Sequence, residues 1–218
     1  CLSTTLSGRL RRCTEMPRRA DRPERRWTLT ERPGWRLVAL CGLYFTQGLP
    51  FGFMFITIAA VLADAGHSEG DIGGLLALAM LPWGFKWVLG PVFDRFGIAS
   101  MGRRRPWILL AQVGLILSLA ALAFGPDPLT HDGWLAWGLL VVSGWSAMQD
   151  VAVDALAVDL LRDTERGRVN GFMYGSSYMG NALGGAGMGT VVAVSGLRTG
   201  FLVIAVVVAV VMLLPLLL

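Results

Sequence analysis

The chain holds 218 residues, 54% of them hydrophobic and only 16% charged, with a formal net charge of +4. A soluble domain of this length carries more charge and breaks its apolar runs sooner, so an ordinary soluble enzyme or binding module is excluded. The basic excess is almost all arginine, gathered in an N-terminal stretch and two short loops with no interleaved aromatics, so no nucleic-acid partner is expected.

The three cysteines (Cys1, Cys13, Cys41) are odd in number and lack metal-ligand spacing, so neither a disulfide framework nor a bound metal or other cofactor is expected. Residues 1–36 carry ten Arg, four acids and three Pro, which predicts a disordered basic arm of cytosolic type. No signal peptide is expected, because the basic part is too long and the apolar run behind it exceeds a signal core. The chain begins at Cys1, and Met16 offers a start that would leave residues 1–15 upstream or artefactual.

Six membrane-length apolar segments follow, near 37–63, 72–93, 107–125, 134–161, 169–195 and 199–218. Each reaches the ~20 residues needed to span the hydrocarbon core, which predicts an all-α integral membrane bundle of six transmembrane helices. Arginines accumulate in the arm, in the 94–106 loop (Arg95, Arg103, Arg104, Arg105) and in the 162–168 loop (Arg162, Arg166, Arg168). The alternate loops hold only Arg198, so the positive-inside rule places the N-terminus in the cytoplasm.

The segments differ in character. The first carries Tyr44, Thr46, Gln47 and Thr57 and a Gly48-Leu49-Pro50 break expected to free backbone groups near mid-membrane. The second carries Lys86, the chain's single lysine, beside Pro82 and Gly84. The third (apart from Gln112) and the sixth are apolar enough to face lipid. The fifth has a polar stripe of Asn170, Tyr174, Tyr178 and Asn181, and a small-residue stripe of Ser176, Gly180, Gly184 and Gly187 suited to close contact with a partner surface.

The fourth segment organises the rest. At ~100° per residue, Ser143, Ser146, Asp150 and Asp154 share one stripe, with Asp159 opposite. A carboxylate at the bilayer centre costs roughly 2.5–3.5 kcal/mol on insertion scales, so two on one face should line a cavity or meet a partner. Lys86 lies at their depth. One lysine cannot neutralise both aspartates, so one carboxylate is expected to exchange a proton, with Asp154 pairing with Lys86 and Asp150 carrying the proton. A static ion pair that fixes helix register is the alternative.

The loop Gly90-Pro-Val-Phe-Asp94-Arg95 followed by Gly102-Arg103-Arg104-Arg105 is the strongest motif. Asp94 is placed to cap a neighbouring helix and the arginines to pair with Asp159, forming a cytoplasmic gate. Gly-x-x-x-Asp-Arg with a following Gly-Arg-Arg-Arg resembles the loop between helices two and three of the major facilitator superfamily, although Ile98 to Met101 are inserted before the basic run. Together with Gln149-Asp150, Asp154, Glu165-Arg166-Gly167 and Tyr44-Phe-Thr-Gln-Gly-Leu-Pro50, the loop resembles the AmpG-type muropeptide permeases and the related acetyl-coenzyme A transporters.

The resemblance implies a secondary transporter of two six-helix halves, of which this sequence supplies the N-terminal one, with a second six-helix half as partner. It further implies that helices one and four line the cavity, two and five meet the other half, and three and six face lipid. The resulting expectation is a multi-pass protein of the bacterial inner membrane that imports a muropeptide-like or other amphipathic solute with protons. Its solute and proton cavity is expected at Gln47, Lys86, Asp150, Asp154, Tyr174, Tyr178 and Asn181. An acyl-coenzyme A solute, or a non-transporting assembly factor on the same fold, are the other readings. An enzyme is not expected: Asp150-x-x-x-Asp154 would suit Mg²⁺ and a diphosphate, but the second deep acidic cluster such a site needs is absent.

Overall fold

The computed structural model describes residues 33–95 and 104–217. Among them the chain forms six helical columns and no strand. Column α1 runs through Pro33–Gly52, a π-helical stretch Phe53–Ile58 and Ala59–Asp64. Column α2 joins Glu69–Phe85, a 3₁₀ turn Lys86–Val88 and Leu89–Arg95. Columns α3 (Arg105–Phe124) and α4 (Asp132–Leu160) are uninterrupted. Column α5 runs through Asp163–Ala182, a π-helical stretch Leu183–Gly187 and Met188–Ser195, and α6 is Leu197–Leu217.

All except α5 are long and apolar enough to cross a membrane. The first part of α5 is rich in glycine, serine and charge, which pulls its hydropathy down. The ends have local causes. Ser68 accepts a hydrogen bond from the Asp71 amide and starts α2; Glu165 accepts from the Arg162 amide and starts α5. Gly196, at φ +82°, makes the tight turn between α5 and α6 that a side chain would strain.

Column α1 is central. It packs on α5, α4 and α6, while α3 packs on α4 and α6, and α2 leans chiefly on α4. Its contact with α5 is backbone against backbone. A Cβ on Gly48 or Gly52 would collide with the Ser177 or Asn181 carbonyl, and one on Gly180 or Gly184 with the Phe45 or Leu49 carbonyl. Gly180 and Gly184 of the small-residue stripe of α5 are thus taken up inside the bundle by a matching Gly48-x-x-x-Gly52 on α1, where the sequence suggested an outside partner.

The chain does not break at Gly48-Leu49-Pro50; α1 stays helical through Pro50 and widens only at Phe53–Ile58. Thr57 Oγ1 sits 2.8 Å from the Gly184 carbonyl and 2.7 Å from that of Gly185, sharing its proton between groups loosened by the facing π-helical stretch of α5. The first helix also starts at Pro33, ahead of the expected residue 37, and brings Arg36 inside. Arg36 donates to the Leu160 carbonyl at 3.1 Å and to Glu165 at 2.7 Å, joining α1 to the α4–α5 connection.

Two apolar clusters form the core. One packs Phe53, Ile58, Leu119, Leu139 and Phe201, and the other Leu40, Leu43, Phe93, Ile108, Val153 and Met173. Between them lies a polar layer at matching height: Thr46 and Gln47 on α1, Gln112 on α3, and Ser143, Ser146, Gln149 and Asp150 on α4, all buried. Apolar burial above and below that layer fixes its depth.

Candidate functional site

The polar layer opens onto a groove between α1, α2, α4 and α5. Its deeper cavity, of about 330 Å³, is lined by Gln47, Phe51, Trp83, Lys86, Asp150, Asp154, Tyr174, Tyr178 and Asn181, among others. All seven cavity residues expected from the sequence therefore converge there. Column α2 delivers Lys86 from its 3₁₀ turn, and Nζ meets Asp150 Oδ2 at 2.7 Å. The ammonium also lies 5.2 Å from the centre of the Trp83 ring, a cation–π distance.

The pairing reverses the expected one. Lys86 holds Asp150, not Asp154. Gln47 Nε2 donates to the other oxygen of Asp150, so that buried carboxylate has a charged and a neutral donor. Asp154, one turn further along, accepts from the Tyr44 hydroxyl, a neutral group. One helical turn is ~6 Å of rise, which a lysine side chain spans, so spacing alone could not choose between the two aspartates. The 3₁₀ turn under Lys86 and the seat of α2 on α4 decide it.

Two contributors were not picked out as site residues. Tyr44 is buried and stands edge-on to Tyr174, ring centres 5.6 Å apart. Gln149 is fully buried; its Nε2 donates to the Leu43 carbonyl at 3.0 Å and to Thr46 Oγ1 at 3.2 Å, pinning α4 to α1 beside Asp150. The signal for both was in the sequence: Tyr44 lies i−3 from Gln47 on one face of α1, and Gln149 lies i+3 from Ser146 on α4.

At the far end of α4 the structure brings Arg104 and Asp159 together, Nε to Oδ2 at 3.1 Å. Arg105 donates to the Pro215 carbonyl, tying α3 to α6. Gly90 and Arg95 lie in the last stretch of α2, and Arg95 is exposed. Gly102 and Arg103 lie outside the described residues, as does the side chain of Asp94, so the expected cap at Asp94 falls outside them too. The described contacts, including Arg36 with Glu165, all join helices of this one bundle.

Comparison with known proteins finds membrane transporters among those the chain resembles. An uncharacterized protein of Haemophilus influenzae is 36% identical over 126 residues, covering 58% of this chain and 29% of its own length. The anhydromuropeptide permease of Escherichia coli is 33% identical over 132 residues, 61% of this chain and 26% of the permease. A folate-biopterin transporter of Synechocystis is 28% identical over 181 residues, 80% of this chain and 35% of that protein. The chain thus spans about a quarter to a third of the curated relatives it matches. The Major Facilitator Superfamily sequence model matches residues 37–218, the whole helical bundle beyond the first turn of α1, and the chain belongs to that superfamily.

Proposed function

We propose that this chain is the N-terminal six-helix half of a proton-coupled importer of a muropeptide-like amphipathic solute in a bacterial inner membrane. In this reading α5 spans the membrane with the other five, the N-terminus is cytoplasmic, and a second six-helix half closes the groove. One observation carries the proposal: a lysine is spent on one aspartate while a second aspartate, a turn away in the same cavity, has a tyrosine hydroxyl as its one hydrogen-bond partner among the described residues. At ~6 Å, two ionised carboxylates repel by about 3 kcal/mol at an effective dielectric of about 20. A proton arriving on Asp154 removes that repulsion and the site's surplus negative charge.

The proton carrier is then Asp154, with Lys86–Asp150 as the fixed pair beside it. Proton and solute bind while the groove faces one side, and the neutralised site turns to the other. Aromatic rings (Phe51, Trp83, Tyr174, Tyr178) and amides (Gln47, Asn181) line the remaining wall and suit a solute with apolar faces and hydroxyl or amide groups. The likeness to the permease of Escherichia coli supports a muropeptide, and the longer match to the folate-biopterin transporter supports a flat heterocycle as the second reading.

Uptake of a labelled anhydromuropeptide into vesicles, with and without a proton uncoupler, tests this. Accumulation is expected to collapse with the uncoupler and to be displaced by unlabelled muropeptide rather than by a pteridine. Asp154→Asn should no longer concentrate solute, yet should still exchange internal for external solute. Uncoupler-insensitive accumulation would remove proton coupling, and displacement by the pteridine alone would favour the second reading.

A further inference from the structure

The groove has two compartments. Besides the deeper cavity, a second one of about 240 Å³ lies toward the Arg166 end of α4 and α5, lined by Tyr44, Asp154, Ala157, Val158, Leu161, Arg166, Asn170 and Tyr174. Among the described residues, only Tyr44, Asp154 and Tyr174 line both. These three side chains are joined. The Tyr44 hydroxyl donates to Asp154 across α1 and α4, and the Tyr174 ring from α5 stands edge-on against the Tyr44 ring at 79°. The compartments differ in chemistry: Lys86, Asp150 and Gln47 lie on the deep side, and Arg166 and Asn170 on the vestibule side.

We propose that the Tyr44–Asp154 hydrogen bond, backed by Tyr174, is a partition between a vestibule and the deep solute site, and that it must open for a solute to pass between them. Tyr44 is the positioning residue of this partition. It is anchored well, since it is buried in the cluster with Leu40, Leu43 and Met173 while lining both cavities. A hydrogen bond to a carboxylate is among the stronger neutral-donor contacts, and opening costs its loss unless the solute or a water supplies a replacement donor. Solutes that bring a hydroxyl or amide N–H to Asp154 therefore pass more readily than those that bring none. The partition rests on the transporter reading for its purpose, and on that reading's cytoplasmic placement of the Arg166 end for the side from which it is probed.

Cysteine accessibility reads the partition directly. Ser177 lines only the deep cavity and Asn170 only the vestibule. In the full-length protein, with its other cysteines replaced by serine, Ser177→Cys and Asn170→Cys are exposed in inside-out vesicles to a membrane-impermeant methanethiosulfonate. Tyr44→Phe, which keeps the ring and removes the hydroxyl, is expected to speed labelling at Ser177→Cys by about tenfold, the loss of one such bond. Labelling at Asn170→Cys should stay unchanged. Equal labelling at Ser177→Cys with Tyr44 or Phe, or a parallel rise at both cysteines, would overturn the partition. Uptake is measured on the same vesicles. Failed uptake with the expected labelling sinks the transporter reading alone, and flat labelling with intact uptake sinks the partition alone.

Discussion

Asp150 and Asp154 differ by one turn of helix and by everything around them. Asp150 is buried between a lysine and an amide; Asp154 leans on a hydroxyl at the mouth of a second cavity. Removing the half-exposed Lys86 leaves the buried carboxylate of Asp150 with Gln47 as its remaining partner among the described residues, and stripping a buried charge of its counter-ion is worse than removing both. Lys86→Ala should therefore lower the melting temperature in detergent more than the Lys86→Ala/Asp150→Ala double variant does. If the double variant is the less stable, the pair does not carry the coupling drawn here. The sequence pointed to three charges that the fold brings to one cavity, because intramembrane ionisable groups are rare. Which aspartate the lysine takes was illegible in it, since both lie within the side chain's reach.

Among the elements, α1 and α5 are held by glycine on both sides, and their four backbone contacts leave no room for a methyl group. Gly48→Val or Gly180→Val should destabilise the bundle by about 1–3 kcal/mol or more, the cost of forcing atoms into a packed contact. Gly171→Ala, on the same helix α5 with open space at its Cβ, should not lower the melting temperature. Equal losses at Gly171 and Gly180 would show that helix α5, and not its contact with α1, is what glycine serves. Thr57→Val removes the shared donor to Gly184 and Gly185 and should cost about 1–2 kcal/mol in the same assay. The Gly180-x-x-x-Gly184 pattern was readable as a contact surface. Its matching Gly48-x-x-x-Gly52 was hidden in what read as a helix break, because glycine and proline give the same composition whether a helix bends, breaks or is approached.

At the scale of the whole molecule, three arginines at the basic end each bind another helix of the same bundle. Arg36 reaches Glu165, Arg104 reaches Asp159, and Arg105 reaches the end of α6. We propose that this cluster keeps the six helices together as one body while the groove changes sides, and that the gate itself forms against the second half. Arg104→Ala and Asp159→Asn should then slow uptake to a similar degree, and the double variant should add little to either single change. Fully additive effects would mean that the two residues do not act through one contact. A protease site placed in the arm is expected to be cut in inside-out vesicles and protected in right-side-out ones, as the arginine distribution requires.

Length and apolar runs were enough to read the all-α class and the membrane character. Those features follow from how a chain partitions between water and hydrocarbon, which is a property of local composition. The loop motif and the Gln149-Asp150-x-x-x-Asp154 pattern carried the family for the same reason, being contiguous stretches. Relations across helices were decided only in three dimensions: Lys86 on Asp150, Tyr44 on Asp154, Gln149 on Thr46, and the glycine faces of α1 and α5 against each other. Each depends on how far two columns rotate and slide before their side chains pack. That rotation is set by the two apolar clusters above and below the polar layer. No single helix contains the information, because a residue's face has chemical meaning only once a neighbour has been packed against it.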